Sequence, residues 1–244
     1  MERSPITLRQ LTLTHDRSIG LQIYEFLRSE ITKTHIKPGA VLSENKLSEH
    51  FQVSRMPVRE ALMRLRQDGL VDVLPQRGSV VEKISVSNLR QICFIRTAIE
   101  TAALRHGAKL DPKTFASVVD NLNDNIARQH ALEHSENVSE LFLDLDDAFH
   151  ALICNLSGCP LSWNTVQSIK GQMDRIRYLS QGKVSPIEQL IAEHEQIKDL
   201  IVARNFERAA LLLEHHLAEI MSTYIPIRHD NAQWFLQEEA DLPA

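Results

Sequence analysis

Four residues in the second half of the chain have the types and the spacing of metal ligands: Asp146, His150, His194 and His216. Asp146 and His150 are four residues apart, so they share one face of a predicted helix, and this face also carries the apolar Phe142. Burial of an unpaired carboxylate is costly, so Asp146 needs a partner. Three imidazoles and a carboxylate suit Zn²⁺, and they suit Ni²⁺, Mn²⁺ or Fe²⁺ when water or a ligand oxygen completes the shell.

The two later histidines also fall on apolar stripes of predicted helices. His194 lies in phase with Ile191 and Ile197, and His216 lies in phase with Leu213, whereas the adjacent His215 is turned away by about 100°. Three helices therefore direct polar groups toward one core. The alternative interpretation is a set of buried histidines that bond to one another without a metal.

A second group of residues has the chemistry of a DNA contact. Arg55 and Arg59 are four residues apart at the start of a predicted helix, so they project from one face. Arginine bonds guanine in a bidentate manner, and a recognition helix meets base edges with its N-terminal residues. Ser54 and the free amides of that helix end can hold a phosphate. An isolated arginine pair would equally well be a solvated helix face.

Three further arginines are candidates for binding a small anion beside the metal: Arg96, Arg175 and Arg177. A bound cation with open positions attracts carboxylates and hydroxyls, and a guanidinium supplies the counter-charge. For each arginine the alternative is an ordinary surface ion pair, such as Arg96 with Glu100. A small carboxylate effector is the ligand class that this arrangement favours.

Residues 18–85 predict a winged helix-turn-helix. Apolar residues recur with helical period over 18–34, from Ser43 to about residue 51, and over 55–68. The runs LVDVL and SVVEKI are then short and β-branched, and Pro75-Gln76-Arg77-Gly78 separates them, which predicts a hairpin with a four-residue loop.

Residues 86–225 predict an all-α bundle of about six helices, because Gly and Pro are scarce and the helical period persists. The fold class is therefore mainly α, with two domains and two tails. We expect residues 1–17 to be a polar N-terminal tail and residues 226–244, which begin at Pro226, to be a C-terminal tail.

Composition is consistent with this division. The chain has 244 residues and a net charge of −5, but residues 1–85 carry an excess of three positive charges, whereas the remainder carries an excess of eight negative charges. Only the first part is suited to phosphate. The chain has no apolar run long enough for a membrane span, and its polar N-terminus lacks a signal core. The cysteines (Cys93, Cys154, Cys159) are few, and we expect reduced thiols in a cytoplasmic protein.

The segment PGAVLSENKLSEHFQVSRMPVREALMRLRQDGLVDVLPQRGSVV resembles the winged helix-turn-helix of the GntR family of transcription regulators. Its matching stretches include Val53-Ser54-Arg55 and Pro57-Val58-Arg59-Glu60-Ala61-Leu62, and the resemblance extends over some 45 residues without a gap. The resemblance implies that operator DNA is contacted by a set of residues on the helices and the wing: Asn45, Arg55, Arg59, Arg77 and Gly78.

Residues 87–225 resemble the FCD ligand-binding domain of the FadR-type subfamily. That domain's aspartate and histidine, four residues apart, fall on Asp146 and His150, and its two later histidines fall on His194 and His216. The segments PQRGSVVEKIS and DRIRYLS are also similar to regulators of sugar-acid and starvation-linked catabolic operons. The resemblance implies a metal-dependent sensor for a sugar acid or another hydroxy-carboxylate.

The sequence thus predicts a homodimeric transcription regulator, a repressor of a catabolic operon, that reads a near-palindromic double-stranded operator. A metal-dependent hydrolase is disfavoured, because Lys198 stands where an H-E-x-x-H motif starting at His194 needs its second histidine. A di-iron bundle fails as well, because Ile191 and Leu213 precede the histidines where glutamates are required. A helical domain that only dimerises stays open as an alternative.

Overall fold

The computed structural model describes residues 8–74, 78–132, 138–180 and 186–237. The chain divides into two compact units: residues 1–87 together with 231–244, and residues 88–230. Within the described ranges no helix has both the length and the apolar character that a membrane crossing requires.

Among the residues that the structure describes, the first unit contains three α-helices, a small antiparallel sheet and a 3₁₀ turn at Ala232–Trp234. Its elements, in chain order, are α1 (Ile19–Thr32), β1 (Val41–Leu42), α2 (Glu44–Phe51), α3 (Arg55–Gln67), β2 (Val71–Leu74) and β3 (Gly78–Val81). The strand order is β1-β3-β2, so the hairpin is extended by a third short strand that the sequence pattern did not predict. Leu74 pairs with Gly78 and Val41 pairs with Val80. The tip of the wing, residues 75–77, lies outside the described residues.

Helix periodicity accounts for the packing of this unit. Ile23, Leu27 and Ile31 form the buried stripe of α1, and they join the apolar residues of α2 and α3 in one core. The Ser43 hydroxyl accepts a hydrogen bond from the backbone N–H of Lys46 and so caps α2. α1 and α3 pack closely at Gly20, where a Cβ atom would lie 2.7 Å from a Glu60 carboxylate oxygen.

The predicted N-terminal tail is wrong for its described part. Leu8, Leu11 and Leu13 pack against the core of the first unit, and the backbone N–H of Thr14 donates to the Gln22 side chain over 2.9 Å. These leucines are spaced too irregularly to produce a helical or strand pattern. The segment was therefore expected to be a tail although it covers apolar surface.

The predicted C-terminal tail is also wrong over residues 226–237. Helix α11 continues through Pro226 to Asp230, because Thr223 and Ile227 are buried on either side and the proline removes only one N–H donor. The chain then returns to the first unit. There the Ile84 N–H donates to the carbonyl of Trp234 over 2.8 Å, and the Leu236 N–H donates to the carbonyl of Ile84 over 2.9 Å.

The second unit is all-α within the described residues. Its helices are α4 (Val86–His106, which starts at the unit boundary), α5 (Pro112–Ala131), α6 (Val138–Asn155), α7 (Leu161–Ile169), α8 (Gly171–Ser180), α9 (Ile187–Val202), α10 (Phe206–Ala218) and α11 (Ile220–Asp230). The mainly α fold class is confirmed. Two stretches whose helical pattern is continuous, residues 161–180 and the stretch that begins after the cap Asn205, are each divided into two helices, at Lys170 and at Glu219. Eight helices therefore stand where about six were expected.

The helices that carry the candidate ligands pack against one another around a shared core. α5 packs on α6 and α9, and α9 packs on α6 and α10. Their apolar stripes join in one cluster that includes Leu122, Phe149, Ile197 and Leu213. The polar residues of the site project from these same stripes, so the core that stabilises the bundle also fixes their positions.

Candidate metal centre and nucleic-acid interface

The four predicted metal ligands come together in the second unit. Asp146 and His150 project from α6, His194 from α9 and His216 from α10, and one ligand atom of each lies within 4.8 Å of the others. His194 Nε2 is 3.2 Å from His216 Nε2 and 3.6 Å from Asp146 Oδ1, and His150 Nε2 is 3.7 Å from Asp146 Oδ2. A tetrahedral zinc site with bonds of about 2.0 Å has ligand atoms roughly 3.3 Å apart. The distances between the four candidate ligand atoms are therefore close to those of a zinc site.

Each of the three rings uses its other nitrogen in a hydrogen bond to a side-chain acceptor. His150 Nδ1 is 2.6 Å from Glu100 Oε2, and His216 Nδ1 is 2.7 Å from Glu193 Oε2. His194 Nδ1 is 2.9 Å from Gln129 Oε1. An acceptor at Nδ1 keeps the ring proton there and leaves the Nε2 lone pair for a metal.

This arrangement argues against the alternative of histidines that bond only to one another. With both protons on Nδ1, the Nε2 atoms of His194 and His216 present lone pairs to each other at 3.2 Å, which is repulsive. A direct hydrogen bond between two neutral rings would need one ring to move its proton to Nε2, and its Nδ1 would then face an acceptor with a lone pair. A cation among the four ligand atoms removes the conflict. The residues present therefore fit a divalent metal.

Burial controls the charge of the rings. Removal from water holds the pKa of His150 well below its usual range, and the nearby Arg96 guanidinium lowers this pKa further. Burial likewise lowers the pKa of His194, and the His216 and His150 rings add to the effect. Both rings are thus neutral near pH 7, which is the form that binds metal.

A pocket opens beside the ligand set within the second unit. Its empty volume is about 580 Å³, part of it open to solvent, and Asp146, His150 and His216 form part of its wall. Arg96 lies in this wall and is 3 % exposed. Its Nε donates to Glu100 over 2.5 Å and its Nη1 contacts the Met173 sulfur, but its Nη2 is buried and has no hydrogen-bond partner among the described residues. The Arg96–Glu100 ion pair that was expected as the alternative to effector binding is present. It is buried, however, and it leaves the Nη2 group of Arg96 available to donate to a bound ligand.

The other two arginines differ from each other in position. Arg177 lines the pocket and bonds Asp146, Asp147 and Asp174 with its two terminal nitrogens. Burial opposes the charge of Arg177, but these carboxylates raise its pKa further above its usual range. Arg175 is fully buried, does not line the pocket, and donates from Nη1 to Gln172. The geometry therefore does not support Arg175 as an effector ligand.

Several residues that complete the site were not predicted from the sequence. Glu100, Gln129 and Glu193 hold the rings, and Lys170 pairs with Asp147 and Asp174. Gln129 had a detectable signal, because it lies one helical turn from the buried Asn125 and Ile126 on an otherwise apolar stripe. Glu193 lies outside the apolar stripe of its helix, so helical phase gave no reason to single it out.

In the first unit, those predicted DNA contacts that the structure describes lie on the surface. Arg55 and Arg59 are exposed one turn apart at the start of α3, and Ser54, immediately before α3, makes no side-chain capping bond. Two nitrogens of Arg59 each lie 3.3 Å from an oxygen of Glu44, which holds the guanidinium in a defined orientation. This helix end therefore presents two cationic groups and a hydroxyl on one side.

A groove between the helices and the wing brings three of the predicted DNA-binding residues together: Asn45, Arg59 and Gly78. Gly78 adopts a φ of +82°, and a Cβ there would lie 3.3 Å from the carbonyl oxygen of Leu42. The positive φ and this close approach explain the glycine without reference to DNA. Arg77, the remaining predicted contact, lies outside the described residues.

Comparison with protein families assigns both units. The family described as bacterial regulatory proteins, gntR family, matches residues 19–81, and the FCD domain family matches residues 91–219. Two solved structures share the fold: Escherichia coli McbR/YncC, with a TM-score of 0.64 over 88 % of this chain and 99 % of that chain, and a GntR regulator from Rhodococcus sp. RHA1, with a TM-score of 0.65 over 84 % and 99 %. Each is 24 % identical to this chain.

Closer sequence similarity exists to named regulators. The chain is 37 % identical to the HTH-type transcriptional repressor RspR of Escherichia coli K12, over 93 % of this chain and 97 % of that protein. It is 35 % identical to an HTH-type transcriptional regulator from an unstable DNA locus of Streptomyces ambofaciens, over 94 % and 95 %. The chain therefore belongs to the GntR family, as a DNA-binding transcription regulator with a C-terminal FCD domain, and it is not an enzyme.

Proposed function

We propose that this regulator is a metal-containing homodimeric repressor that releases its operator when a small carboxylate binds in the FCD unit. The observation that carries the proposal is the buried Nη2 of Arg96, which lacks a partner among the described residues and lies in a pocket walled by Asp146, His150 and His216. A ligand carboxylate can bond this guanidinium and reach a metal held by the same wall.

The proposed DNA contacts are made by α3 and the wing. Arg55, Arg59 and Ser54 are the groups that would contact bases and phosphate, and Asn45 and Gly78 lie in the same groove as Arg59. The resemblance to the family adds Arg77 to the proposed contacts. The name of RspR describes that relative as a repressor. We extend repression to this chain on the strength of their similarity.

The metal would be held by Asp146, His150, His194 and His216. Neutral imidazoles and one carboxylate favour zinc, and nickel, manganese or iron(II) suit the same donors with added oxygen ligands. The bound cation would supply a Lewis-acid position for an effector oxygen. Arg96, with Arg177 behind Asp146, would then set the orientation of the effector and its preference for an anion.

Metal content tests the ligand assignment. Purified without chelator, the wild type should contain close to one divalent ion per chain, and His194→Ala should lose most of it because His194 is fully buried in the ligand set. His215→Ala is the matched control, because His215 is exposed and adjacent to the ligand His216. Elemental analysis of the three proteins is the measurement. A wild type without metal after reconstitution, or equal loss in both variants, would disprove the assignment.

The effector is tested by gel shift on the DNA that flanks the protein's own gene, with and without a panel of sugar acids. We expect at least one hydroxy-carboxylate to weaken operator binding by the wild type. Arg96→Gln should abolish this response while it keeps the metal, because it removes the donor and none of the four ligands. Arg90→Gln, at an exposed position of the same helix, is the control. A response that survives in Arg96→Gln would exclude the proposed binding mode, and no response to any acid in a metal-loaded wild type would favour a unit that only dimerises.

A further inference from the structure

Helix α5 buries two side-chain amides on a stripe that is otherwise apolar. Asn125 and Gln129 are 3 % and 0 % exposed, four residues apart, next to Leu122 and Ile126. Burial of amide groups is costly unless they are hydrogen-bonded, and an apolar residue at either position would pack in this core without that cost. Packing alone therefore does not explain why amides occupy these two positions.

A backbone carbonyl determines which atom donates and which accepts in each hydrogen bond of these amides. A main-chain carbonyl only accepts, so the bond of 3.0 Å to the oxygen of Leu145 identifies the Asn125 nitrogen as its donor. The Asn125 oxygen then accepts from Gln129 Nε2 over 2.7 Å. The remaining Gln129 oxygen faces His194 Nδ1 at 2.9 Å and must accept the ring proton.

We propose that Asn125 and Gln129 form an amide relay that holds His194 as the Nδ1–H tautomer, so that its Nε2 lone pair faces Asp146 and His216. The relay rests on the proposed metal site, because this tautomer is the one that leaves Nε2 free to bind an ion. Asn125 and Gln129 are positioning residues, because they act on the metal only through the Nδ1 side of the His194 ring.

The relay differs from the hydrogen bonds to the other two rings. Glu100 and Glu193 can only accept when ionised, so either end of each carboxylate gives the same tautomer. An amide presents an oxygen at one end and an NH₂ at the other, so a reversed Gln129 would select the opposite tautomer. Asn125 prevents this reversal. The carbonyl of Leu145 fixes the orientation of the Asn125 amide, whose oxygen then accepts only from the NH₂ group of Gln129. A neutral acceptor also adds no further carboxylate to a centre that already contains Asp146, Glu100 and Glu193.

The tautomer can be measured without metal. We would label the full-length protein with ¹⁵N-histidine, remove metal with a chelator, and record the ring nitrogen shifts, with His194→Ala used to assign the signal. The wild type should show protonated Nδ1 at His194. Gln129→Met, similar in size but without an acceptor, should lose this preference, and Gln129→Glu should restore it. Asn125→Leu should give a mixture, because Gln129 is then free to reverse.

Metal affinity gives the second measurement, with Zn²⁺ as the probe in competition with a chromogenic chelator. Loss of an outer hydrogen bond to a ligand typically lowers affinity about 10–100-fold, and we expect this for Gln129→Met. Gln129→Glu should stay close to the wild type. Ile126→Val is the matched control, because it also alters the buried stripe of α5 but removes no hydrogen-bonding group. The Zn²⁺ affinity of this variant should equal that of the wild type.

The outcomes separate the relay from the metal site itself. A wild type that binds no Zn²⁺ but shows the expected tautomer changes would disprove the metal proposal and leave the relay standing. A wild type that binds Zn²⁺ while Gln129→Met keeps both its affinity and the Nδ1–H tautomer would overturn the relay. If Gln129→Met fails to fold, the tautomer in Asn125→Leu decides, since an unchanged signal there is equally contrary to the relay.

Discussion

At the scale of single residues, the two carboxylate oxygens of Asp146 face different partners. Arg177 bonds Oδ2, and Oδ1 faces His194 Nε2 at 3.6 Å. Arg177 also bonds Asp147 and Asp174, and Lys170 pairs with the same two carboxylates. The positive charges hold the pKa of Asp147 far below its usual range despite its burial, which alone would raise it. This network compensates the buried acid groups and leaves one oxygen of Asp146 free of these cations, where it could bind the proposed metal.

Arg59 allows a residue-scale prediction about DNA. Arg59→Ala should weaken specific operator binding by about 1–3 kcal/mol, because a bidentate arginine–guanine contact contributes about that much discrimination. Arg64→Ala is the control on the same helix, because the side chain of Arg64 is also solvent-accessible and paired with a carboxylate but lies more than a turn beyond the N-terminal end of α3. Fluorescence anisotropy at fixed salt on operator and scrambled DNA measures both. Equal losses on the two DNA sequences would show that Arg59 contacts phosphate and does not read a base.

Helical phase was enough to single out the four candidate metal ligands, because each lies on an apolar stripe of its own helix, a property that neighbouring residues reveal. Helical phase did not reveal which side chains accept hydrogen bonds from the Nδ1 atoms of the three rings. Gln129 is 65 residues from His194, and Glu100 is 50 residues from His150. Such partners depend on how whole helices pack, which periodicity alone does not determine.

At the scale of elements, the same limit explains the divided helices. The pattern over residues 161–180 is continuously helical, but the structure interrupts it at Lys170, whose buried ammonium bonds Asp147 on α6 and Asp174 on α8. The short strand β1 was missed for a related reason. Two residues carry no period, and Val41 and Leu42 are extended because they pair with β3.

Helix α4 has an exposed apolar face, against which we expect a second copy of this chain to pack. Phe94 is 76 % exposed and Ile95 39 %, and Ala98 and Ala102 follow on the same side at helical spacing. A two-fold axis across such a face would pair the stripe with itself, which is how closed dimers form. A dimer is also what a near-palindromic operator requires, since each recognition helix reads one half-site.

This face gives the element-scale prediction. Phe94→Asp should shift the protein toward monomer by placing two carboxylates on either side of the axis, and it should reduce operator affinity accordingly. Leu211→Asp is the control, because Leu211 is 62 % exposed on α10 and outside the stripe. Light scattering over a concentration series measures the mass. A Phe94→Asp protein that stays as dimeric as the control would place the dimer interface elsewhere.

At the scale of the whole molecule, the two units have separate cores, and the chain enters the first unit twice. It leaves at Ser87 and returns at Asn231. The returning segment brings Phe235, which is 2 % exposed, against the stretch that follows β3, where it bridges to the fully buried Ile84. A segment that was expected to be a polar tail therefore completes the DNA-binding unit.

The consequence is that the C-terminus should stabilise the N-terminal unit and not the FCD unit. A chain that ends at Asp230 loses both backbone hydrogen bonds to Ile84 and the burial of Phe235, and loss of a buried phenylalanine costs about 3–5 kcal/mol. A chain that ends at Gln237 keeps all three interactions and is the matched control. By calorimetry, the first truncation should lower the unfolding temperature of the DNA-binding unit and weaken operator binding on warming. Its metal content should stay that of the wild type, because the four ligands belong to the other core. Identical unfolding of the two truncated chains would show that the returning segment contributes nothing to stability.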